Sequence, residues 1–131
     1  MKINFQVIPH AEQRYDTCGD YWQDGGTLQF RVSRLSSRKY EWLVFLHELI
    51  EYALCAFADI KLADIDAFDM AYEKGRQTGL APCGCPIQSE PGFDSHAPYR
   101  RQHFMADIAE RTCAYAMGVN WIEYEQEIDA L

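Results

Sequence analysis

The sequence predicts an α+β domain, mostly α, with a small N-terminal β-hairpin or sheet followed by a helical bundle. Three observations predict it. Short stretches near the N-terminus alternate apolar and polar residues around a "QDGG" turn. From residue 36 onward, apolar residues recur every three to four positions, the spacing of helices. The 131 residues, 48% of them hydrophobic, suffice for a single domain with a core and fall short of two.

Residues 3–8 alternate as a strand closed by Pro9. Tyr21-Trp22 and residues 27–32 flank Asp24-Gly25-Gly26, which supplies the positive φ angles of a hairpin turn. On the second arm Leu28, Phe30 and Val32 face one way while Gln29, Arg31 and Ser33 face the other. Ser36 or Ser37 offers an N-cap, with Glu41 favourable in the first turn, for a helix reaching about residue 58. Its expected core stripe is Trp42, Phe45, Leu46, Leu49, Ile50, Ala53, Leu54 and Phe57. A second helix is expected over residues 64–74, with Ile65, Phe68 and Tyr72 inward and Gly75 as its stop. Residues 79–98 are punctuated by Pro82, Pro86, Pro91, Gly92 and Pro98, and read as a long loop. A third helix runs from near Pro98 to a left-handed cap at Gly118. Asn120 and Glu123 resemble a capping box opening a last helix that buries Trp121, Tyr124, Ile128 and Leu131.

Composition narrows the function classes. A formal net charge of -8 argues against nucleic acid, which needs clustered Lys and Arg. The small groups Arg34/Arg38/Lys39 and Arg100/Arg101 do not outweigh that acidic field. No stretch approaches a membrane span, and "MKINFQVIPH" lacks the apolar run of a secretory signal. The 5 cysteines are an odd count, which suits reduced thiols or metal ligands in a cytoplasmic protein better than a disulfide framework.

The chemistry concentrates in "VFLHELIEYALCAF". Burying an unpaired carboxylate costs several kcal/mol, yet this most apolar helix holds His47, Glu48 and Glu51. A divalent cation offsets such charges and orders its ligands. His47 and Glu51, four residues apart, share a helical face and can grip one ion. Glu48 projects at another angle, towards a water on that ion, as in the H-E-x-x-H helix of metalloproteases; here the last histidine is replaced by Glu51. In "YRRQHFMADIAER", His103, Asp107 and Glu110 form a second ladder, with Ala106 and Ala114 small enough for close helix approach. Phe104, Ile108, Thr112 and Tyr115 mark an adjacent apolar strip. Two histidines and a carboxylate suit zinc or non-haem Fe(II).

Plainer roles stand beside these. A buried histidine commonly belongs to a hydrogen-bonded core, and Glu48, Glu51, Asp107 or Glu110 can simply pair with Arg100, Arg101 or Arg111. Cys83 and Cys85 could open a zinc knuckle with Cys18 or His96, although C-x-C is tight for structural zinc. Cys55 and Cys113 read as core residues, and Trp22, Trp42 and Trp121 as packing.

"GDYWQDGGTLQFRVS" leading into "YEWLVFLHELIEYALC", then "APYRRQHFMADIAER" and "GVNWIEYE", resembles a family of small phage and prophage proteins. The layout is similar to zincin-like metallopeptidases reduced to a minimum. That resemblance implies a zincin-like active helix with His47 and Glu51 as ligands, Glu48 as general base and His103 as third ligand. Glu110 would be a fourth ligand or a partner behind one; the "CGC" loop lies outside the pattern.

The leading expectation is a zinc-dependent hydrolase, whose strand at residues 27–32 offers a free edge to an extended peptide. A metal-stabilised, non-catalytic protein that acts through a protein or peptide partner is the alternative. Third comes a Mg²⁺-dependent α-helical nucleotide pyrophosphohydrolase, from Glu48-x-x-Glu51 followed by Asp66-x-x-Asp69.

Overall fold

A computed structural model describes residues 1–87 and 90–131. The first third of the chain builds a three-stranded sheet from β1 (Lys2–Ile8), β2 (Gly19–Asp24) and β3 (Thr27–Ser33). Four helices follow: α1 (Arg38–Phe57), α2 (Leu62–Arg76), α3 (Arg100–Ala116) and α4 (Trp121–Asp129). The expected α+β, mostly helical class is therefore what the chain adopts.

Gly25 and Gly26, at φ 52° and 79°, form the two-residue turn joining β2 antiparallel to β3. Both residues need the left-handed region, which only glycine enters freely. β1 then pairs with the far side of β3 in parallel, Phe5 opposite Phe30. The order β1-β3-β2 makes β3 the central strand, so the expected free edge at residues 27–32 does not exist; each side of it is already hydrogen-bonded. The open edges belong to β1 and β2. On β3, Leu28, Phe30 and Val32 are buried as the alternation predicts. Ser33 is buried too, its hydroxyl held by His10 and Gln13 from the connection that follows β1.

Ser37 caps α1, its side chain accepting from the Lys39 amide. The buried face of α1 is not the expected stripe. Leu43, Val44, His47, Glu51 and Cys55 are inside, whereas Phe57 is 92% exposed and Trp42 and Leu54 are each more than a third exposed. Apolar residues occur almost all round this helix, so periodicity could not choose the face. The neighbouring elements choose it: the sheet on one side, α3 and α4 on the other. Trp42 instead packs its ring on Phe5 and Phe45.

Helix α2 outruns its expected limits at both ends, and Gly75 lies within it rather than stopping it. A Cβ there would fall 2.2 Å from the Leu80 carbonyl oxygen, so this glycine serves a close backbone approach. At the end of α3, Gly118 takes φ 66° and the Val119 amide returns to the Ala114 carbonyl, the expected left-handed cap. Asn120 caps α4 by accepting from the amides of Ile122 and Glu123. Tyr124 is buried as expected, but Leu131 is 42% exposed because α4 ends before it.

Two apolar clusters result. One joins Tyr21, Leu28 and Phe30 of the sheet to Cys55, Ile65 and Tyr99; the other joins Val32, Leu43, Val44, Ala114 and Tyr124. His47 and Glu51 fall on α1 between Val44 of the second cluster and Cys55 of the first. Ala106 and Ala114, both essentially fully buried, let α3 pack closely against α1. Among the described residues no helix is long and apolar enough to cross a membrane.

Candidate metal centre

Helix spacing brings His47 and Glu51 to one level of α1, and α3 lays His103 across them. Their side chains are buried, at 9%, 4% and 5% exposure. Three donor atoms converge. Nε2 of His47 is 3.2 Å from Nδ1 of His103, which is 2.8 Å from Oε2 of Glu51; the third side, His47 Nε2 to Glu51 Oε2, is 3.6 Å. Zinc bonds of about 2.0–2.1 Å in tetrahedral geometry separate neighbouring donors by about 3.3 Å. The triangle therefore has the size of one face of such a site.

Each donor is backed by a partner that fixes its orientation. His47 turns Nδ1 to Oε2 of Glu110 at 2.9 Å, and the other oxygen of Glu110 accepts from the Tyr124 hydroxyl. Tyr21 donates to Oε1 of Glu51 at 2.9 Å, leaving Oε2 for the centre. Behind His103, Nε2 is buried without a well-directed hydrogen bond, and Oε2 of Glu90 lies 3.1 Å from it. With its lone pair at Nδ1 directed to an ion, His103 would carry its proton at Nε2, towards that carboxylate. Imidazole ligands backed by carboxylates are the usual outer arrangement of metal centres. Of the two roles open to Glu110, its position on the far nitrogen of His47 matches the partner rather than the ligand.

The titrations follow from this crowding. Burial disfavours ionised Glu51, but the hydrogen bonds from His103 and His47 outweigh it and hold the carboxyl at about 2. Burial likewise disfavours charge on His103, yet Glu51 and the nearby Glu90 raise it to about 9. The ion pairs of Glu51 and Glu110 are with histidines rather than arginines. Two imidazoles thus hold protons that a cation would displace.

Glu48 stands apart, half-buried and with no hydrogen bond to a described residue. Burial, reinforced by the charge of Glu51, pushes its carboxyl well above the usual range. It rests on Gly19 of β2, where a Cβ would fall 2.4 Å from its Oε1. Gly92 makes the same allowance for His103, since a Cβ there would lie 2.3 Å from the ring. A cavity of about 680 Å³ reaches Glu48, His47, Glu51 and His103 and continues past Asp20 and Asp69.

The remaining sequence candidates lie elsewhere. Asp107 sits on α3 beside Arg111 and pairs with it at 3.0 Å. Asp66 accepts from Arg14, while Asp69 accepts from Tyr99 and Tyr15. Neither belongs to a group of metal-competent side chains among the described residues. Cys55 is buried and Cys113 packs against the second cluster. The parts that Glu90, Tyr21, Tyr124 and the two spacer glycines play at this centre escaped the sequence analysis. These residues all come from other segments, and only the fold relates their positions to α1.

No protein-family model, curated protein or solved structure matches this chain. Fold and site together define its class: a small α+β domain with a buried centre of two imidazoles and one carboxylate.

Proposed function

We propose that the protein is a metal-dependent hydrolase in which His47, Glu51 and His103 bind zinc and Glu48 is the general base. The observation that carries this is the triangle of donor atoms, with an unpartnered carboxylate beside it at the wall of a cavity. Zinc held by three protein ligands keeps a fourth position open and brings the pKa of its water towards neutrality.

The residues of the chain then have separate tasks. Glu110 and Glu90 hold the two rings in their ligand tautomers, and Tyr21 keeps Glu51 turned inward. Glu48 accepts the proton of the attacking water, and a cation nearby offsets the burial and the Glu51 charge that otherwise keep it protonated. β2, whose Gly19 touches Glu48, has its outer edge unpaired within the sheet. An extended peptide laid along that edge would pass the base. Fe(II) fits the same donors.

The deep burial of all three ligands favours a second role, in which the ion only braces α1 against α3. One experiment separates the two. Untagged protein and its Glu48→Gln variant are analysed for metal and assayed against peptide and ester substrates. Catalysis predicts equal metal content and turnover reduced by about 10²-fold or more in the variant. Equal turnover, or none in either protein, would reject it.

A further inference from the structure

Nothing in the proposed hydrolytic site uses "PCGCP", yet that segment and His96 together hold a second set of donors. The sulfurs of Cys83 and Cys85 and a ring nitrogen of His96 lie within 4.8 Å of one another, on the surface. We infer that Cys83, Cys85 and His96 bind a second metal ion, a zinc with thiolate ligands, which clips together the two ends of the segment that covers His103.

Local structure prepares the three donors. Pro82 and Cys83 occupy the corner of a turn closed by the Gly84 amide on the Ala81 carbonyl, and Gly84 takes φ 79°. That left-handed step, which other residues resist, lets two thiols one residue apart serve the same side. The Cys85 amide points at Sγ of Cys83 at 3.3 Å, a contact that orients this sulfur. On the other side, the buried carboxylate of Asp94 accepts from the His96 amide at 2.8 Å and meets its Nδ1 at 3.2 Å. A proton kept on Nδ1 leaves the Nε2 lone pair for the ion, the same carboxylate–imidazole pairing that backs His103.

Geometry is within reach of coordination. Zn–S bonds of about 2.3 Å and Zn–N bonds of about 2.0 Å place tetrahedral donors about 3.5–3.8 Å apart, and these three donors all lie within 4.8 Å of one another. All three side chains are exposed, which leaves an ion access to them. Two thiolates select a soft or borderline ion such as zinc over Mg²⁺ or Ca²⁺. Three protein donors leave the fourth position to water.

The position of the cluster gives it a consequence. Between Cys85 and His96 in the chain come Glu90, behind Nε2 of His103, Gly92, against its ring, and Phe93, edge-on to it at 4.6 Å. An ion joining Cys85 to His96 shortens the loop that carries these contacts and lowers the entropy of holding them in place.

The test uses reduced, untagged protein titrated with Co²⁺ and, separately, Zn²⁺. The wild type should take two equivalents; Cys83→Ser and His103→Ala should each take one, and the double variant none. Sulfur is absent from the buried centre, so a thiolate-to-cobalt charge-transfer band should appear in the wild type and in His103→Ala and vanish in Cys83→Ser. Loss of the buried centre alone therefore leaves the band untouched. Unchanged stoichiometry in Cys83→Ser, or no charge-transfer band in any protein, would overturn the second site. So would a Cys83–Cys85 disulfide whose reduction restores no metal uptake.

Discussion

Glu51 and Asp69 are both buried carboxylates on successive helices: Glu51 accepts from Tyr21 and faces His103 and His47, whereas Asp69 accepts from two tyrosines only. Their acidities move in opposite directions. Burial raises both, but at Glu51 two histidines overturn it and the carboxyl falls to about 2. At Asp69 the donors are the neutral phenols of Tyr99 and Tyr15, burial prevails, and the group rises to about 7. Donors that can carry charge compensate a buried anion; neutral donors only soften the cost. The Glu51 pocket is thus arranged for positive charge, whether protons or a metal ion. The Asp69 pocket is arranged for a carboxylic acid.

The strongest way to break this comparison is to neutralise Glu51. Glu51→Gln should abolish metal binding at the buried centre and destabilise the protein by about 3–5 kcal/mol, because the carboxylate that both buried imidazoles share is lost. His103→Ala should also lose that ion. Saturating zinc, which adds about 2.7 kcal/mol at a hundredfold excess over its Kd, should then raise Tm less than in the wild type. Calorimetry with and without a chelator reads both. A Glu51→Gln protein that melts like the wild type and keeps its metal would show that the pocket needs no anion.

Asp69→Asn should act in the opposite sense. An unfolded aspartate titrates near about 3.9, whereas the native group holds its proton to about 7. The unfolded chain therefore binds fewer protons across that interval, so this group makes stability fall as pH rises from about 4 to about 7. Asparagine keeps an acceptor for Tyr99 and cannot ionise. The variant should match the wild type near pH 4 and exceed it above pH 7, with about 4 kcal/mol as the ceiling. Denaturant midpoints along a pH series check the sign; a variant weaker than the wild type at pH 8 would contradict it.

Glu110→Gln sharpens the distinction between a ligand and its support. As the partner behind His47, Glu110 should cost about 10–100-fold in metal affinity when neutralised, with stoichiometry intact. Complete loss of the ion would make it a ligand instead. Competition against a chromogenic chelator resolves the two outcomes.

Much of this centre was legible in the chain because helix periodicity links residues four apart. His47 with Glu51, and His103 with Glu110, needed only a correct helix assignment. The close approach of α1 and α3 was legible in Ala106 and Ala114. The buried face of α1 was not, since a helix apolar on nearly every side gives periodicity nothing to choose between, and Phe57 turned outward. The sheet order was equally hidden: a parallel return of β1 against β3 leaves no local mark, and it moved the open edge from β3 to β2. Glu90, Gly19 and Gly92 have roles only through contact with α1 and α3.

The smallest effect is expected at Asp107, and it is the most direct check on which face of α3 is inside. By spacing, Asp107 belongs to the ladder with His103 and Glu110. In the fold it turns to Arg111 at 3.0 Å, and that arginine, half exposed, also reaches Glu125. Ion pairs this accessible contribute about 0–1 kcal/mol, so Asp107→Asn should shift stability by about 0.5 kcal/mol or less. Metal content should be unchanged. A fall in metal content would mean that α3 presents a different face to α1. Because residues four apart on one helix turn together, the rotation that brought Asp107 inward would also displace His103, and the donor triangle would open with it.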